Sequence, residues 1–558
     1  MVLRCLRGLL LGMQICVLCG ADSRVSVYVL FALGAMACLM DNGAHGRRLE
    51  GPWKRGVAFV GCGLFGALVC LANYGLFQPL STSALMDLAV VFLGSGCAVW
   101  EILLAMEGRL PVKLSPNSGK WKPWQVFLAA WVSMSAVYLA YLFSVLRPGG
   151  VTNDSVSQLT QILTGGYWNH HPYWHTQVIR VFFRLGQAVG GVNGGVMAYC
   201  AFQCLFLAGC FAYAVATLYQ AGLPVPWVMG PWAAFAFLPY HFVYAGMMWK
   251  DIPFAAAVLV FLVALYRWRK AMGRSHWIVA ALSCLLACVW RTNGLLAMGA
   301  AVAVYGLFWK DLRKKLLPLA LAVVCGFVLV RPVLAFLDVA QPDAVESLSV
   351  PVQQVARVIA AGRELTEEES ALLDRVVDLE AVPELYEWYI SDPIKDEIRR
   401  KDKDYFEENL ARYGKLWLQL GLRYPGDYLE GWIDQTKGYW NGGYDYWVFP
   451  IPWTENSLGV AWPGASGPGR VLEKVVWLFE VTPWLQWMTA IGFHVWVTVL
   501  ALLHCLQKRR WEGFLTVPVL FIIATLWVAT PVSCEFRYAY CLFTCLPFLL
   551  PVVLGKSE

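Results

Sequence analysis

The chain has 558 residues, of which 58% are apolar and only 15% charged. This balance excludes a water-soluble globular protein of this size, a coiled coil and a disordered chain. The formal net charge is +6, and most Lys and Arg residues lie in short loops between apolar runs, which is typical of membrane topology rather than of nucleic-acid binding. The 17 Cys show no spacing typical of a zinc site or a disulfide framework. We expect an all-α polytopic membrane protein whose partner is the lipid bilayer and not nucleic acid.

Apolar runs of roughly 20 residues predict about fourteen transmembrane helices, because a helix of that length crosses the hydrocarbon layer. The first run follows Arg4 and Arg7, and we interpret it as an uncleaved helix rather than a signal peptide. The predicted spans are about 5–21, 25–41, 56–77, 84–106, 125–146, 194–219, 226–248, 252–267, 276–290, 292–309, 316–337, 483–506, 513–531 and 538–555.

Basic residues cluster in every second loop between these spans, which predicts that those loops and both termini are cytoplasmic. The large loop would then be extracytoplasmic and the protein a multi-pass protein of the cell membrane. The basic residues are Arg47, Arg48, Lys54 and Arg55, then Arg109, Lys113, Lys120 and Lys122, then Arg267, Arg269, Lys270 and Arg274, then Lys310, Arg313, Lys314 and Lys315, and finally Lys508, Arg509 and Arg510.

Four parts follow from this map. Residues 1–124 form variable N-terminal transmembrane helices, and 125–337 form a transmembrane core that contains a first large outer loop, 147–193. Residues 338–482 carry charged runs and form an extracytoplasmic insertion, and 483–558 are C-terminal transmembrane helices. Thr366, followed by Glu369 before an apolar-periodic stretch, is a capping-box pattern, so we expect the insertion to be mainly helical, with Pro383, Pro393 and Pro425 punctuating its helices.

The first outer loop contains most of the polar residues that suggest chemistry. Asp154 is a lone carboxylate after a Pro-Gly turn, and Gln158 follows it near one helical face. Asp154 could be a helix N-cap, a catalytic base or both. His170, His171 and His175 could bind a hydroxyl-rich or anionic ligand, could lie in a solvated interfacial loop, or could ligate a metal through the His171 and His175 spacing, although Pro172 lies between those two.

Three later turns place charges at the ends of apolar runs, where a charge is costly unless it is paired or functional. Cations gathered there suit a phosphate group, and simple interfacial anchoring is the alternative. All of them fall on the same predicted face as Asp154. The candidate binding residues in these turns are Lys250, Asp251, Arg291, Asn293, Glu535 and Arg537.

One segment of the insertion is crowded with aromatic residues that could stack on sugar rings, or form an aromatic belt at the membrane interface. Its polar neighbours could then bind sugar hydroxyls. The aromatic residues are Trp432, Tyr439, Trp440, Tyr444, Tyr446, Trp447 and Trp453, and the polar ones are Asp434, Asn441 and Asp445.

Several of these motifs together resemble a bacterial family of uncharacterised multipass proteins over about 145–555. That family is in turn similar to the GT-C class of membrane glycosyltransferases, which includes protein mannosyltransferases and oligosaccharyltransferases. The motifs are the acidic residue after the Pro-Gly turn, His-His-Pro, His-Thr, Trp-Lys-Asp, Arg-Thr-Asn-Gly, Glu-Phe-Arg-Tyr, and in the insertion Pro351-Val-Gln-Gln-Val-Ala-Arg357 and Ser391-Asp-Pro-Ile-Lys395.

The resemblance implies a GT-C-like fold and a polyprenyl-phosphate-linked sugar as donor, with an unknown acceptor on the outer face. It implies that Asp154 is the catalytic residue, as base or as ligand of a divalent cation such as Mg or Mn. Many members of the class have paired acidic residues in this loop, whereas Asn153 precedes Asp154 here. Our leading hypothesis is therefore an enzyme, a hexosyl or pentosyl transferase of the cell envelope. The alternatives are a transporter or flippase of a lipid-linked or polar precursor, and a non-catalytic assembly protein.

Overall fold

The computed structural model describes residues 2–19, 26–78, 81–109, 121–273, 275–313, 315–442, 448–449 and 452–555. Within these ranges the chain is helical and has no strand, only isolated bridges between loops. The first half contains α1 (Val2–Cys19), α2 (Ser26–Ala44), α3 (Pro52–Ala72), α4 (Thr82–Arg109), α5 (Pro123–Tyr141), α6 (Asn153–Thr164), α7 (Tyr173–Gln220), α8 (Val225–Phe237), α9 (Pro239–Ala245), α10 (Asp251–Arg269), α11 (His276–Trp290) and α12 (Thr292–Phe308).

The second half begins with the short α13 (Lys310–Arg313) and ends with three apolar helices. It contains α14 (Leu317–Val330), α15 (Pro332–Phe336), α16 (Ser349–Ala360), α17 (Glu367–Asp374), α18 (Val382–Leu385), α19 (Asp392–Glu408), α20 (Leu410–Arg423), α21 (Pro425–Thr436), α22 (Gly469–Val481), α23 (Ile491–Lys508), α24 (Val517–Ala529) and α25 (Tyr540–Leu554).

Nine helical segments of the described ranges are long and apolar enough to cross a membrane, which indicates a membrane protein. Helices α8, α11 and α12 are apolar but shorter, with 13 to 17 residues. The nine are Pro52–Ala72, Thr82–Glu107, Pro123–Leu146, Tyr173–Gln220, Asp251–Arg269, Leu317–Phe336, Ile491–Lys508, Trp511–Ala529 and Phe536–Leu554.

The first outer loop is more ordered than the sequence suggested. It holds α6 and the first part of α7, whose backbone leaves helical geometry at Gly190 and Gly191. These two glycines divide α7 into a segment that belongs to the predicted loop and a segment that covers the predicted span at 194–219.

Helix α10 is the centre of the bundle. It packs against α7, α11 and α25, and nearly every residue from Asp251 to Tyr266 is buried. A helix that is apolar on all sides is suited to the interior of a bundle, and here other helices cover α10. Its first residue, Asp251, therefore lies at a fixed position at one end of the bundle.

Two predicted cytoplasmic loops meet at the opposite end of the bundle. Lys54 and Lys508 both contact the carboxylate of Glu107, with N–O distances of 2.5 and 2.7 Å. This contact places the loops before α3 and after α23 together, as the charge pattern predicts. Four other basic residues of that pattern, Lys113, Lys120, Arg274 and Lys314, lie outside the described residues.

The insertion has a hydrophobic core of its own, which extends from Val345 to Tyr428. The capping box is confirmed, since the Thr366 amide donates to Glu369 at 2.9 Å and the Glu369 amide to the Thr366 hydroxyl at 3.2 Å. Each of the three predicted punctuating prolines lies in the first turn of a helix, namely α18, α19 or α21.

The insertion is packed against the bundle rather than tethered away from it. Trp432 donates to the carbonyl of Trp527 at 2.8 Å, and Gln435 donates to the carbonyl of Thr530 at 2.8 Å. The Ser391 amide donates to the carbonyl of Pro531 at 2.9 Å. These bonds hold the insertion on the end of the bundle where α24 ends, which we call the insertion end.

Candidate functional site

Four segments far apart in the chain bring their charges together at the insertion end. Asp154 comes from the first turn of α6, and Lys250 and Asp251 from the start of α10. Arg291 lies between α11 and α12, and Glu535 and Arg537 lie between α24 and α25. We call these six residues the charged cluster. All six were candidates from the sequence, and the fold brings them together.

Asp154 is the centre of the cluster. Its Oδ2 accepts a hydrogen bond from Arg537 Nη1 at 2.8 Å and lies 3.8 Å from Lys250 Nζ. The three side chains are between 16 and 24% exposed, so a ligand can reach them. Thr152, not Asp154, is the N-cap of α6, so the capping alternative for Asp154 is wrong. This frees the carboxylate to face the two cations.

Arg537 is fixed by aromatic rings as well as by charge. Its guanidinium lies 5.2 Å from the ring centre of Trp249 and 5.1 Å from that of Tyr538. Its Nε is 3.6 Å from Glu535 Oε1. Rings on the faces of a guanidinium leave its edge available for oxygen atoms, so this arrangement suits an anionic ligand.

A second ion pair lies deeper. Asp251 is 1% exposed, and its Oδ1 accepts a hydrogen bond from Arg291 Nη1. Arg291 also lies over the Tyr538 ring at 4.9 Å from its centre. Tyr538 therefore contacts both arginines and couples their positions. A buried carboxylate is stable only with a partner of opposite charge. The pair of Asp251 and Arg291 can therefore be needed for folding as well as for binding a ligand.

Two loops are held in contact so that Asp154 can reach Lys250. The Gly150 amide donates to the Gly246 carbonyl, and the Met248 amide donates to the Gly150 carbonyl, both at 2.9 Å. A Cβ on Gly150 would lie 2.0 Å from Met247 Sδ and 3.2 Å from its Cα, so glycine allows the two loops to approach this closely without displacing Met247. Trp249 Nε1 adds a hydrogen bond to Thr152 Oγ1 at 2.8 Å.

Two of the three predicted histidines border the cluster. Lys250 Nζ lies 3.3 Å from His171 Nδ1, and His170 stacks on Trp168 with ring centres 4.8 Å apart. Burial and the charge of Lys250 lower the pKa of His171 to about 2, so this ring is neutral at pH 7 and accepts a hydrogen bond from the ammonium. His170 is the more accessible of the two.

His175 and Gln158 face the interior of the protein, so the prediction that they bind substrate does not fit their surroundings. Gln158 Nε2 lies 3.1 Å from His175 Nδ1, and His175 Nε2 lies 2.7 Å from the hydroxyl of Tyr199. Tyr199 donates to Gln203, whose amide donates to the carbonyls of Ala245 and Met247. This buried chain of hydrogen bonds supports the loop that carries Lys250.

Asn293 is also used for packing, because its Nδ2 donates to Thr525 Oγ1 at 3.1 Å. Its Oδ1 is buried, and no hydrogen bond to it is found within the described residues. It lies two residues after Arg291, where α12 joins α24. Asn293 therefore positions Arg291 rather than entering the open part of the cluster.

The aromatic segment of the insertion does not form an open sugar platform where the structure describes it. Trp432 and Trp440 stack on each other with ring centres 5.7 Å apart, and Tyr439 and Trp440 are buried. Asp434 is paired with Lys437 at 2.9 Å. These residues join the insertion to the bundle. Asn441 is buried, and Trp453 Nε1 donates to the carbonyl of Val460 at 3.4 Å. The other candidates, Tyr444, Asp445, Tyr446 and Trp447, lie outside the described residues.

The residues near Asp154 do not fit a divalent cation. Within the described ranges, no group of three or more His, Cys, Asp or Glu side chains is arranged to hold a metal ion. The carboxylate oxygen that faces the opening is already bound by Arg537 and lies near Lys250, and two cations repel a third. His171 and His175 do not face a common point, because His175 is enclosed by Gln158 and Tyr199.

Two carboxyl groups that share Arg537 titrate in opposite directions. Burial alone would raise the pKa of Asp154, but Arg537 and Lys250 outweigh it and hold that pKa well below its usual range. Burial raises the pKa of Glu535 to about 7, with Asp251 and Asp154 adding to the effect and Arg537 opposing it. Asp154 is therefore ionised at neutral pH, and Glu535 is a group of the cluster whose charge changes near neutral pH.

Residues 163–558, more than half of the chain, match the family of unknown function DUF6020. The chain belongs to this family. No curated protein matches it, and no solved structure does. The part that matches DUF6020 includes Lys250, Asp251, Arg291, Glu535 and Arg537, whereas Asp154 precedes it.

Three neighbours of the cluster were not recognised as site residues from the sequence. Trp249 and Tyr538 hold Arg537, and each is adjacent in the chain to a charge that the sequence did single out. Glu346 of the insertion acts electrostatically on His170, and the Asn169 amide donates to the Ala340 carbonyl nearby. The two aromatic residues could have been found from the sequence because each is next to a candidate charge. No feature of the sequence links Glu346 to His170.

Proposed function

We propose that this protein is a membrane glycosyltransferase that moves a sugar from a polyprenyl-phosphate donor to an acceptor at the insertion end of the bundle. The observation that carries the proposal is the partly exposed carboxylate of Asp154, placed beside Arg537 and Lys250 at the end of an apolar bundle. A donor of this type needs all three features. They are cations for its phosphate, a base for the acceptor hydroxyl and a hydrophobic surface for its tail.

In the proposed step the acceptor hydroxyl oxygen attacks the anomeric carbon, and the bond from that carbon to the phosphate oxygen breaks. Asp154 takes the hydroxyl proton, and the polyprenyl phosphate leaves with the bonding electrons. Arg537 and Lys250 neutralise the phosphate, which removes the need for an acid. Configuration at the anomeric carbon is inverted.

Donor binding would also activate the base. In the free protein Arg537 and Lys250 stabilise the Asp154 carboxylate and make it a weak proton acceptor. A phosphate group competes for the same two cations, so their hold on Asp154 weakens when the donor is bound. The pKa of Asp154 would then rise towards the range useful for catalysis.

The test is turnover of a radiolabelled polyprenyl-phosphate sugar pool by the full chain in lipid nanodiscs, with Asp154→Asn compared to the wild type. We expect the variant to lose roughly 10²- to 10⁴-fold in rate, the usual effect of a general base. Asp427→Asn is the matched control, because Asp427 also pairs with an arginine, Arg363, but lies in the insertion.

If the wild type and Asp154→Asn both bound the donor but neither turned it over, the proposal that the protein is an enzyme would be contradicted. If both moved the donor across the bilayer, a transporter would replace it. Equal turnover by wild type and Asp154→Asn would contradict the role of Asp154 alone.

A further inference from the structure

The insertion encloses a cavity of about 560 Å³ inside its own core. It lies between α16, α19 and α20 and is separate from the charged cluster, of which it includes no residue. This volume is in the range of sites for small organic ligands. Six of its lining residues are Leu348, Val352, Ala356, Ile398, Phe406 and Leu416.

The polar groups beside the cavity are bonded to the protein. Tyr413 donates its hydroxyl hydrogen to the carbonyl of Leu372 at 2.9 Å, and Trp417 Nε1 donates to Gln354 Oε1 at 2.9 Å. Tyr413 and Trp417 therefore line the cavity with their rings, because their polar atoms are already hydrogen-bonded. A cavity with such a lining does not hold ordered water and favours an apolar ligand.

The cavity reaches the surface beside α20. Three of its lining residues, Ser347, Leu410 and Gly414, are exposed. On the outer face of the same helix Leu418 is 58% and Leu422 86% exposed, four residues apart. Lys415, the residue after Gly414, is exposed as well. The opening therefore combines an apolar rim with a positive charge.

We propose that this cavity binds one hydrocarbon chain of an anionic lipid, with the head group outside beside Lys415. The exposed leucines of α20 give the rim an apolar surface. The insertion is attached to a bundle whose helices are long and apolar enough to cross a membrane, which favours a lipid as the apolar ligand. The chain is either a fatty acyl chain or an isoprenoid chain. The inference concerns a second site and does not rest on the proposed transferase activity.

The experiment is photolabelling of the full chain in nanodiscs with two probes in parallel. One probe is a phosphatidylglycerol that carries a diazirine on an acyl chain, and the other is an isoprenyl phosphate that carries a benzophenone. Labelled residues are identified by mass spectrometry. We expect label on residues 344–417 that line the cavity, in addition to label on transmembrane helices.

Gly414→Trp provides a variant that should fold normally while narrowing the opening. A Cβ at Gly414 meets no atom within 4 Å, and glycine within a helix is itself unfavourable. Loss of only two bound methylene groups lowers affinity about tenfold, so we expect cavity labelling to fall by at least about that factor. Gly426→Trp is the control, since its Cβ is equally free and it does not line the cavity.

Label from the acyl probe would identify a bilayer lipid as the occupant, and label from the isoprenyl probe a polyprenyl lipid. Label confined to the transmembrane helices with both probes would overturn the proposal. Cavity label that is unchanged in Gly414→Trp would also overturn it. The readout is the position of the label, so it is independent of whether any sugar is transferred.

Discussion

Glu535 gives the charged cluster a charge that depends on pH. With Glu535 protonated, the formal charges of Lys250, Arg291 and Arg537 exceed those of Asp154 and Asp251 by one positive charge. With Glu535 ionised the cluster is neutral. Since the pKa of Glu535 is raised to about 7, this change falls at physiological pH, and an anion should bind more tightly below pH 7 than above it.

Glu535→Gln tests this dependence. The ligand should be a polyprenyl phosphodiester, whose own charge is constant between pH 5.5 and 8.5, so that only the protein titrates. We expect the wild-type affinity to fall by about tenfold as pH rises through 7, from the effect of one nearby charge. The variant should bind equally across the range. A wild-type affinity without pH dependence would exclude Glu535 as the titrating group.

Glu535→Gln should also change the folding stability of the protein, by an amount that depends on pH. The pKa of Glu535 is higher in the folded protein than in the unfolded chain, so its contribution to folding is fully present at low pH and is lost as pH rises through about 7. Glu535→Gln should therefore be more stable than the wild type at pH 8, by at most roughly 3 kcal/mol. Thermal unfolding of the ligand-free protein should show the two converging towards pH 4.

Arg537 binds two carboxylates and two rings at once, which a lysine cannot do. Arg537→Lys keeps the charge but removes the planar group between Trp249 and Tyr538. We expect phosphodiester affinity to fall by about tenfold, equivalent to one charge-assisted hydrogen bond. Binding by calorimetry should show the loss, whereas Arg363→Lys in the insertion should bind as the wild type does.

At the scale of elements, the position of the loop that leads into Asp154 depends on one close approach of two loops. Residues 149–152 pair with residues 246–248 through backbone bonds, and the Val151 amide also donates to the Pro452 carbonyl at 2.8 Å. The loop is therefore held from two sides. This arrangement fixes α6 relative to α10, and with it Asp154 relative to Lys250.

Gly150→Ala should separate these two loops. Its Cβ would overlap the end of the Met247 side chain and lie 3.2 Å from the Met247 Cα, so the side chain must turn away and the two loops must move apart by a few tenths of an ångström. We expect a loss of about 1–3 kcal/mol in stability and a larger loss of phosphodiester binding or turnover. Gly166→Ala in the same loop is the control, because the nearest atom to its Cβ is 3.8 Å away. Wild-type behaviour of Gly150→Ala would mean that the loops do not position the cluster.

At the scale of the whole molecule, we infer that both termini are cytoplasmic and that the insertion is extracytoplasmic. The contact of Lys54 and Lys508 with Glu107 places two basic loops at the end opposite the insertion, as this topology requires. Alkaline phosphatase inserted after Arg363, in the turn between α16 and α17, should be active. A fluorescent protein fused to the C-terminus should fluoresce, and the opposite pair of results would invert the topology.

The sequence by itself determined the membrane class, the helical character and the six residues that the fold brings together in the charged cluster. These features depend on local composition and period, since an apolar run of sufficient length or a capping box at Thr366 is specified by neighbouring residues. The sequence also indicated that charges at the ends of apolar runs need partners, and this identified Lys250, Arg291 and Arg537 before any contact was known.

Only the tertiary structure decided which of these residues face the opening and which face the interior. His175, Gln158 and His170 are all polar residues of the same predicted outer loop, and the sequence does not distinguish them. Packing against Tyr199 encloses His175 and Gln158, and burial depends on contacts between distant segments. The pKa of Glu535 likewise depends on Asp251 and Asp154, which are more than 280 residues away in the chain. The cavity in the insertion exists only because three helices pack incompletely against one another. The spacing of apolar residues along the chain does not predict such a gap.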